Sequence, residues 1–452
     1  MNWLKLELKL IFSGGAAKFS FALVIFSALM AIYFGGESYR QLSDKQNFSQ
    51  TQFEAQLAEY QQRETRPDAG YLGYYLLAAT EWDVTPWSTL FIGQSHSSYS
   101  DISVRSLALQ GQIYAQEIIN PSQYKAGRLD LGFVIIYLFP LLLGVLTVTT
   151  LSEERGANRW RLLSVLAKSG AHFIWQRVIL STALVLILAV GVISLAVIWL
   201  DLNLGANYFY IVISSCIYLI FWALLISLII TLGKNSVFNT LFFVAIWLLL
   251  SVILPASIQL YLDNSNQQHP ALKATLEQRM VMNNGWDNEP KLALEAFVKQ
   301  YPEYQSFILP PQSGSWPWYF AQQHMSDLAV ASDWAQYLAQ NQQKLDVLKK
   351  LSWISPATLL QLEFNELAGS SGQAHLSYIQ DVENYHQRLR EYLYGYIYQD
   401  KTIDQNILDN FPRFHSTSTT TQNWQGLTPL ILIIGLFIML LINRDKKLGQ
   451  FY

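Results

Sequence analysis

His324 and Asp327, three residues apart, come closest to a metal site by type and spacing, because residues so spaced on a helix share a face. They supply at most two ligands. His375 and His386 fall on one predicted helix, but eleven residues at ~1.5 Å of rise each separate them by roughly 16 Å, too far to share an ion. With no H-E-x-x-H helix and no Cys/His cluster, no resident metal is expected, and the helix histidines are expected to be exposed. A G-x-S-x-G nucleophile elbow is absent too, and Gly369-Ser370-Ser371-Gly372 reads as a helix cap and turn. Gly233-Lys234-Asn235-Ser236 lacks both the upstream glycine and the Ser/Thr directly after lysine that a phosphate-cradling loop needs. The chain is therefore expected to be no enzyme and to hold no cofactor.

The most informative polar stretch runs Ser152-Glu153-Glu154-Arg155-Gly156-Ala157-Asn158-Arg159-Trp160-Arg161-Leu162-Leu163 and on to Leu166. Gly156 would let the backbone turn at low steric cost. In the helix that follows, Leu162, Leu163 and Leu166 form an apolar side, with Arg161, Ser164 and Lys168 opposite. Two readings stay open: a basic loop at a membrane surface, or a docking element for a soluble partner.

Six apolar runs must position these residues: 19–34, 131–150, 178–200, 208–232, 237–254 and 427–442. None holds an Asp, Glu, Lys or Arg, and each approaches the ~20 apolar residues that a helix needs to cross a ~30 Å hydrocarbon core. Orientation follows from basic residues, which gather on the cytoplasmic side of short loops. With the N-terminus in the cytosol, Lys5, Lys9, Lys18, Arg155, Arg159, Arg161, Lys168, Arg177, Lys234, Arg444, Lys446 and Lys447 lie inside, opposed by Glu7, Glu153, Glu154 and Asp445. The inside then carries +8, and the formal net charge of −3 leaves −11 outside. A signal-peptide reading of the first run is disfavoured, since Gly35-Gly36-Glu37 makes no small-x-small cleavage site. The single cysteine, Cys216, lies in the fourth run, so no disulfide is expected outside.

The expected architecture is an all-α polytopic membrane protein with six transmembrane helices and two largely helical extracytoplasmic domains. Its divisions are a cytosolic interfacial helix (1–18), spans at 19–36, 131–150, 178–200, 208–232, 237–254 and 427–442, a first outer domain (37–130), a cytosolic loop (151–177), a second outer domain (255–425) and a cytosolic tail (443–452). The first span's helix is expected to continue outward through Phe53, Leu57 and Tyr60 until Arg66-Pro67. In the second outer domain Leu272, Leu276 and Met280 mark a helix that Gly285 would cap. Further helices are expected from about Tyr319 to Trp353, Ala357 to Ala368 and Gln373 to Gln399. Trp316-Pro317-Trp318-Tyr319-Phe320 fits core packing, a partner surface or contact with the outer leaflet.

An acidic pair, an Arg, a Gly and a Leu-Leu helix after the second of six spans resembles the permease subunits of type 2 ABC transporters. Ile354-Ser355-Pro356-Ala357, Leu359-Leu360-Gln361, Asn365-Glu366-Leu367-Ala368-Gly369 and His375 look like the subgroup with a large outer domain of unassigned function before its last span. Ala157 stands where that pattern usually has Thr, and Lys168-Ser169-Gly170-Ala171 lacks its Pro. The resemblance implies a coupling helix, with Glu153, Glu154, Arg155, Gly156, Arg159, Leu162, Leu163 and Leu166 meeting an ABC ATPase subunit that itself binds ATP and Mg. It further implies pairing with a second permease as homo- or heterodimer, and export across a bacterial inner membrane. The lipid bilayer is a partner by composition, and no nucleic acid is expected. A mechanotransmitter acting on an envelope protein and a membrane-anchored receptor or scaffold remain alternatives.

Overall fold

The computed structural model describes residues 2–95, 98–117, 129–160, 170–264, 270–307, 314–399, 401–417, 420 and 422–448. Six helices in it are long and apolar enough to cross a membrane: Gly15–Gln62, Leu131–Gly156, His172–Trp199, Ala206–Ile230, Ser236–Asn264 and Trp424–Arg444. The chain is thus an all-α, multi-pass membrane protein, and among the described residues the only β contacts are two isolated bridges.

Each span follows from an apolar run whose backbone polar groups can be satisfied only within a helix. The second and fourth spans are the most buried and form the centre of the bundle, whereas the fifth and sixth leave most of their apolar surface to lipid. The first helix does run on as expected, for 48 residues, or roughly 72 Å at ~1.5 Å per residue. It therefore extends well beyond a ~30 Å hydrocarbon layer. Gly35 sets its contact with the turn Pro86–Thr89, since a Cβ there would land on the Thr89 carbonyl.

Two spans contain a π turn, which their apolar composition did not reveal: Val134–Leu138 in the second and Leu249–Ile253 in the fifth. Each precedes a proline, Pro140 or Pro255, that lacks the N–H needed to close the next helical bond. An orphaned carbonyl in hydrocarbon costs several kcal/mol. In the second span Phe139 bonds to the Val134 carbonyl, so Pro140 would have taken Ile135; the Tyr218 hydroxyl of the fourth span donates to the adjoining carbonyl, Ile136, at 2.8 Å. In the fifth span Leu254 bonds to the Leu249 carbonyl, so Pro255 would have taken Leu250; Ser355 Oγ donates to that carbonyl instead, at 3.1 Å.

The two stretches expected outside, 37–130 and 255–425, share one core. Leu42, Phe53, Leu72, Trp82 and Ile113 of the first pack with Phe297, Trp318, Phe320, Val382 and Leu393 of the second. Polar bonds tie the same two stretches. Tyr378 accepts from the Ile102 N–H at 2.9 Å and donates to Thr80 Oγ1 at 2.7 Å, and Thr80 in turn donates to the Ile102 carbonyl at 2.6 Å. The N-terminus of helix Leu109–Glu117 is capped from the other stretch, by Asp327 at 3.0 Å from the Leu109 N–H. Asp327 also meets Arg390 at 2.7 Å, and both side chains are buried. Such a distance marks a charged pair, although burial outweighs the Arg390 charge and the Leu109 N–H and pushes the Asp327 carboxyl up, to about 6.

Three local expectations are overturned. Helix Pro270–Asp287 runs through Gly285, where the Gln322 side chain fills the space a Cβ would need, so that glycine is a packing site and no cap. The same helix buries Ala271, Ala274, Thr275 and Gln278 and leaves Leu272, Leu276 and Met280 exposed. Small and polar residues permit the closer approach to helix Trp316–Leu351. Nor are the helix histidines exposed. His324 and His386 are buried, and His375 lies against the Trp82 ring with centroids 4.8 Å apart. The aromatic stretch is core, since Trp318 and Phe320 are fully buried.

The histidines make the outer core sensitive to acid. Burial, then the Arg390 charge, depresses His324 to about 4 and pushes His386 well below its usual value, and burial depresses His375 to about 4 against a bond to the Tyr99 backbone. The unfolded chain takes up these protons near pH 6.5, so their contribution to stability is full above about pH 6.5 and is lost progressively towards about pH 4. We expect the melting temperature of the protein in nanodiscs to fall steeply over that window. His386→Gln, which keeps a donor for the Leu107 carbonyl that His386 meets at 2.7 Å, should flatten the slope. Parallel slopes for the two proteins would contradict this assignment.

Candidate functional site

At the basic end of the bundle, the segment after the second span is held by four charged side chains. Arg177, at the start of the third span, donates from Nε to Glu7 at 2.8 Å and from Nη1 to Glu154 at 2.6 Å. Arg159 closes the other side, donating from Nε to the second Glu154 oxygen at 2.8 Å. Glu7 and Glu154 are buried, Arg177 is mostly so, and two carboxylates balance two guanidiniums. One residue thus joins the N-terminal helix Asn2–Ile11, the second span and the third. Phe173 lies under the Arg177 guanidinium at 4.6 Å.

This geometry divides the acidic pair. Glu153 is exposed, whereas the Glu154 carboxylate is consumed inside the protein and offers no free face to a partner. Arg155 donates to the Gly233 carbonyl at 3.0 Å, fastening the segment to the loop after the fourth span. Nearby, Ser236 donates to Ser152 Oγ at 2.8 Å. The turn is not made at Gly156, which ends the helix Thr150–Gly156 in open space, but at Asn158, with φ of 56°. Asparagine tolerates that left-handed conformation better than most residues. Leu162, Leu163 and Leu166 lie outside the described residues. Sequence reasoning missed Arg177 and Glu7 as members of this site; their partners lie 23 and 170 residues from Arg177, beyond any local spacing rule.

The opposite end of the bundle is built around the short helix Pro356–Ala368. Ser355 caps its start, Pro356 sits at the first position where a missing N–H costs nothing, and Gly369 closes it with φ of 68°. Although it belongs to the outer stretch, its Ala357, Leu359, Leu360, Phe364, Leu367 and Ala368 pack into the core of the spans. Glu363 is buried there and accepts from the Tyr210 hydroxyl of the fourth span at 2.8 Å and from Asn423 at 3.2 Å. Burial raises its carboxyl, against the Tyr210 bond. Ser370 donates to the Phe91 carbonyl at 2.7 Å and its own carbonyl accepts from the Gln94 N–H at 2.8 Å. The motif residues from Ile354 to Gly369 are thus brought together as a joint. Among the described residues no group of three potential ligands could hold a metal ion, and the His324–Asp327 pair is used by Tyr394 and Arg390.

Residues 270–417 match a family described as a domain of unknown function, DUF3526. The match takes in the outer helices from Pro270 onward and none of the spans. No curated protein and no solved structure matches the chain.

Removing one member of a buried ion network leaves its partners uncompensated, at a cost of about 3–5 kcal/mol. Arg177→Gln should therefore destabilise the protein by about 3 kcal/mol. Arg177→Lys should recover little, because an ammonium cannot fork between two carboxylates as a guanidinium does. Glu153→Gln, on exposed surface, should change stability by no more than about 0.5 kcal/mol. Equal effects at Glu153 and Arg177, read by denaturant unfolding in mixed micelles, would contradict the division of the acidic pair.

Proposed function

We propose that this chain is the membrane-spanning subunit of an ATP-driven ABC-type exporter whose ATPase is a separate protein. The observation that carries the proposal is the clamped segment at the basic end. Because Arg177 bonds both Glu154 and Glu7, a push on the segment after the second span would move the third span and the N-terminal helix with it. The exposed Glu153 and the outer side of Arg159, whose side chain is 60% exposed, would meet the ATPase. Glu154 would hold the element in place from within.

The joint at the other end supports the same reading. Tyr210 to Glu363 and Leu250 to Ser355 connect the fourth and fifth spans to the outer core, so rocking of the spans would carry the outer region. The DUF3526 match in that region accords with a permease that carries a large outer domain. An apolar cleft of about 480 Å³ between the third, fourth and sixth spans, lined by Trp175, Ile179, Leu186, Ile220 and Leu441, suits a lipid-like or otherwise amphipathic cargo. In this reading ATP and Mg bind the ATPase, two permeases pair, and the basic end faces the cytosol of a bacterial inner membrane. A mechanotransmitter reading is favoured by one observation: both outer stretches fold on one core that is joined to the spans by side-chain bonds, which is more than a gate requires.

Purification of the tagged protein from native membranes should bring down an ATPase. The double variant Glu153→Lys, Arg159→Glu should reduce that recovery about tenfold, an effect of about 1.4 kcal/mol. Absence of any ATPase, or full recovery with the double variant, would contradict the proposal.

A further inference from the structure

A cavity of about 310 Å³ lies between the outward end of the fifth span, helix Trp316–Leu351 and helix Gly372–Ile397. Its lining is divided in character. Leu262, Leu345, Leu348 and Leu376 give an apolar wall, while Lys344 and Asp263 bring opposite charges to the same space. No ion pair joins those two charges. Asp263 accepts from Gln259, one turn back on its own helix, at 3.1 Å and is exposed at the cavity mouth, and Lys344 is half-buried. Gly372 keeps the floor open, since a Cβ there would stand 2.8 Å from Leu345 Cδ2 and 3.1 Å from Gln94 Nε2.

The bond between Ser355 and Leu250 sets the depth of this cavity. Gln259 and Asp263 lie nine and thirteen residues beyond Leu250, roughly 14 and 20 Å along the helix, and Lys344 lies eleven residues before Ser355, roughly 16 Å. The apolar run of the fifth span ends at about residue 254, so Gln259 and Asp263 lie roughly 8 and 14 Å beyond the hydrocarbon, from the outer margin of the lipid headgroups, which add about 5–8 Å to each side, to just past it. Leu260 and Tyr261, on the outward end of the fifth span, and Trp353 and Ile354, in the turn that follows Trp316–Leu351, are all more than half exposed, and Tyr and Trp side chains favour the membrane interface. An occupant with both charges and an apolar part would match the two charges and the leucine wall.

We propose that this cavity binds an amphipathic zwitterion, with its anionic group at Lys344, its ammonium at Asp263 and its apolar portion against Leu345, Leu348 and Leu376. Two sources offer that chemistry: the headgroup of an aminophospholipid, or a short apolar peptide with free ends. The proposal is independent of the ATPase reading, since it rests on the outer region alone.

The full chain in nanodiscs of phosphatidylglycerol provides the test, in two arms. In one, phosphatidylethanolamine is added as a minority lipid and retained lipid is counted by native mass spectrometry. In the other, leucyl-leucine is titrated by equilibrium dialysis. Saturable binding of one equivalent is expected in at least one arm, and the arm that responds identifies the source. Lys344→Glu and Asp263→Lys should each weaken binding about tenfold, and the double swap should restore part of it, because a zwitterion can bind reversed. Lys344→Gln and Asp263→Asn remove the charges without reversing them and serve if the reversed variants fail to fold. No saturable binding in either arm, or binding unchanged in the charge variants, would overturn the proposal.

Discussion

Hydrocarbon cannot solvate a backbone carbonyl, and in the fifth span Pro255 leaves one without its helical partner. Ser355 supplies the missing donor from outside the bundle, while also capping the helix that it begins. Much of the architecture follows from that bond. It places Pro356–Ala368 in the core of the spans, and it sets the register between the fifth span and the long outer helix that ends just before it. Lifting the outer region from the spans would re-expose an orphaned carbonyl at a cost of several kcal/mol. In the second span Tyr218 of the fourth donates to the Ile136 carbonyl, beside the one that Pro140 leaves open, so a hydroxyl from another helix meets each π turn.

The bundle is therefore fastened at both ends by different physics. At one end hydroxyls and the buried Glu363 carboxylate tie the fourth and fifth spans to the helix Pro356–Ala368. At the other, Arg177 gathers Glu154 and Glu7 in a charge-balanced network. The second and fourth spans, the most buried, lie between the two fastenings. Such an arrangement favours motion as connected bodies over independent motion of single helices.

The six spans were legible because length and absence of charge decide them, without knowledge of any partner. Most outer helix ends were legible as well: Pro356 and Gly369 bound their helix within a residue of expectation, since proline and glycine act locally. The faces of those helices were harder to read. Leu272, Leu276 and Met280 have core periodicity, yet Ala271 and Ala274 face the neighbouring helix, because close helix packing selects small side chains and exposes the large ones. The division of the acidic pair Glu153-Glu154 was not legible, since it depends on Arg177 beyond the next loop. The shared outer core and the buried histidines likewise depend on contacts between stretches separated by four spans.

Hydrogen exchange along the full chain in nanodiscs tests the central claim that Pro356–Ala368 belongs physically to the spans. The amides of this helix should exchange as slowly as those of the fourth span, and Ser355→Ala should speed exchange both there and in the turn Leu249–Ile253. Opening of the helix together with Trp316–Leu351 while the fifth span stays protected, in the native protein, would contradict it.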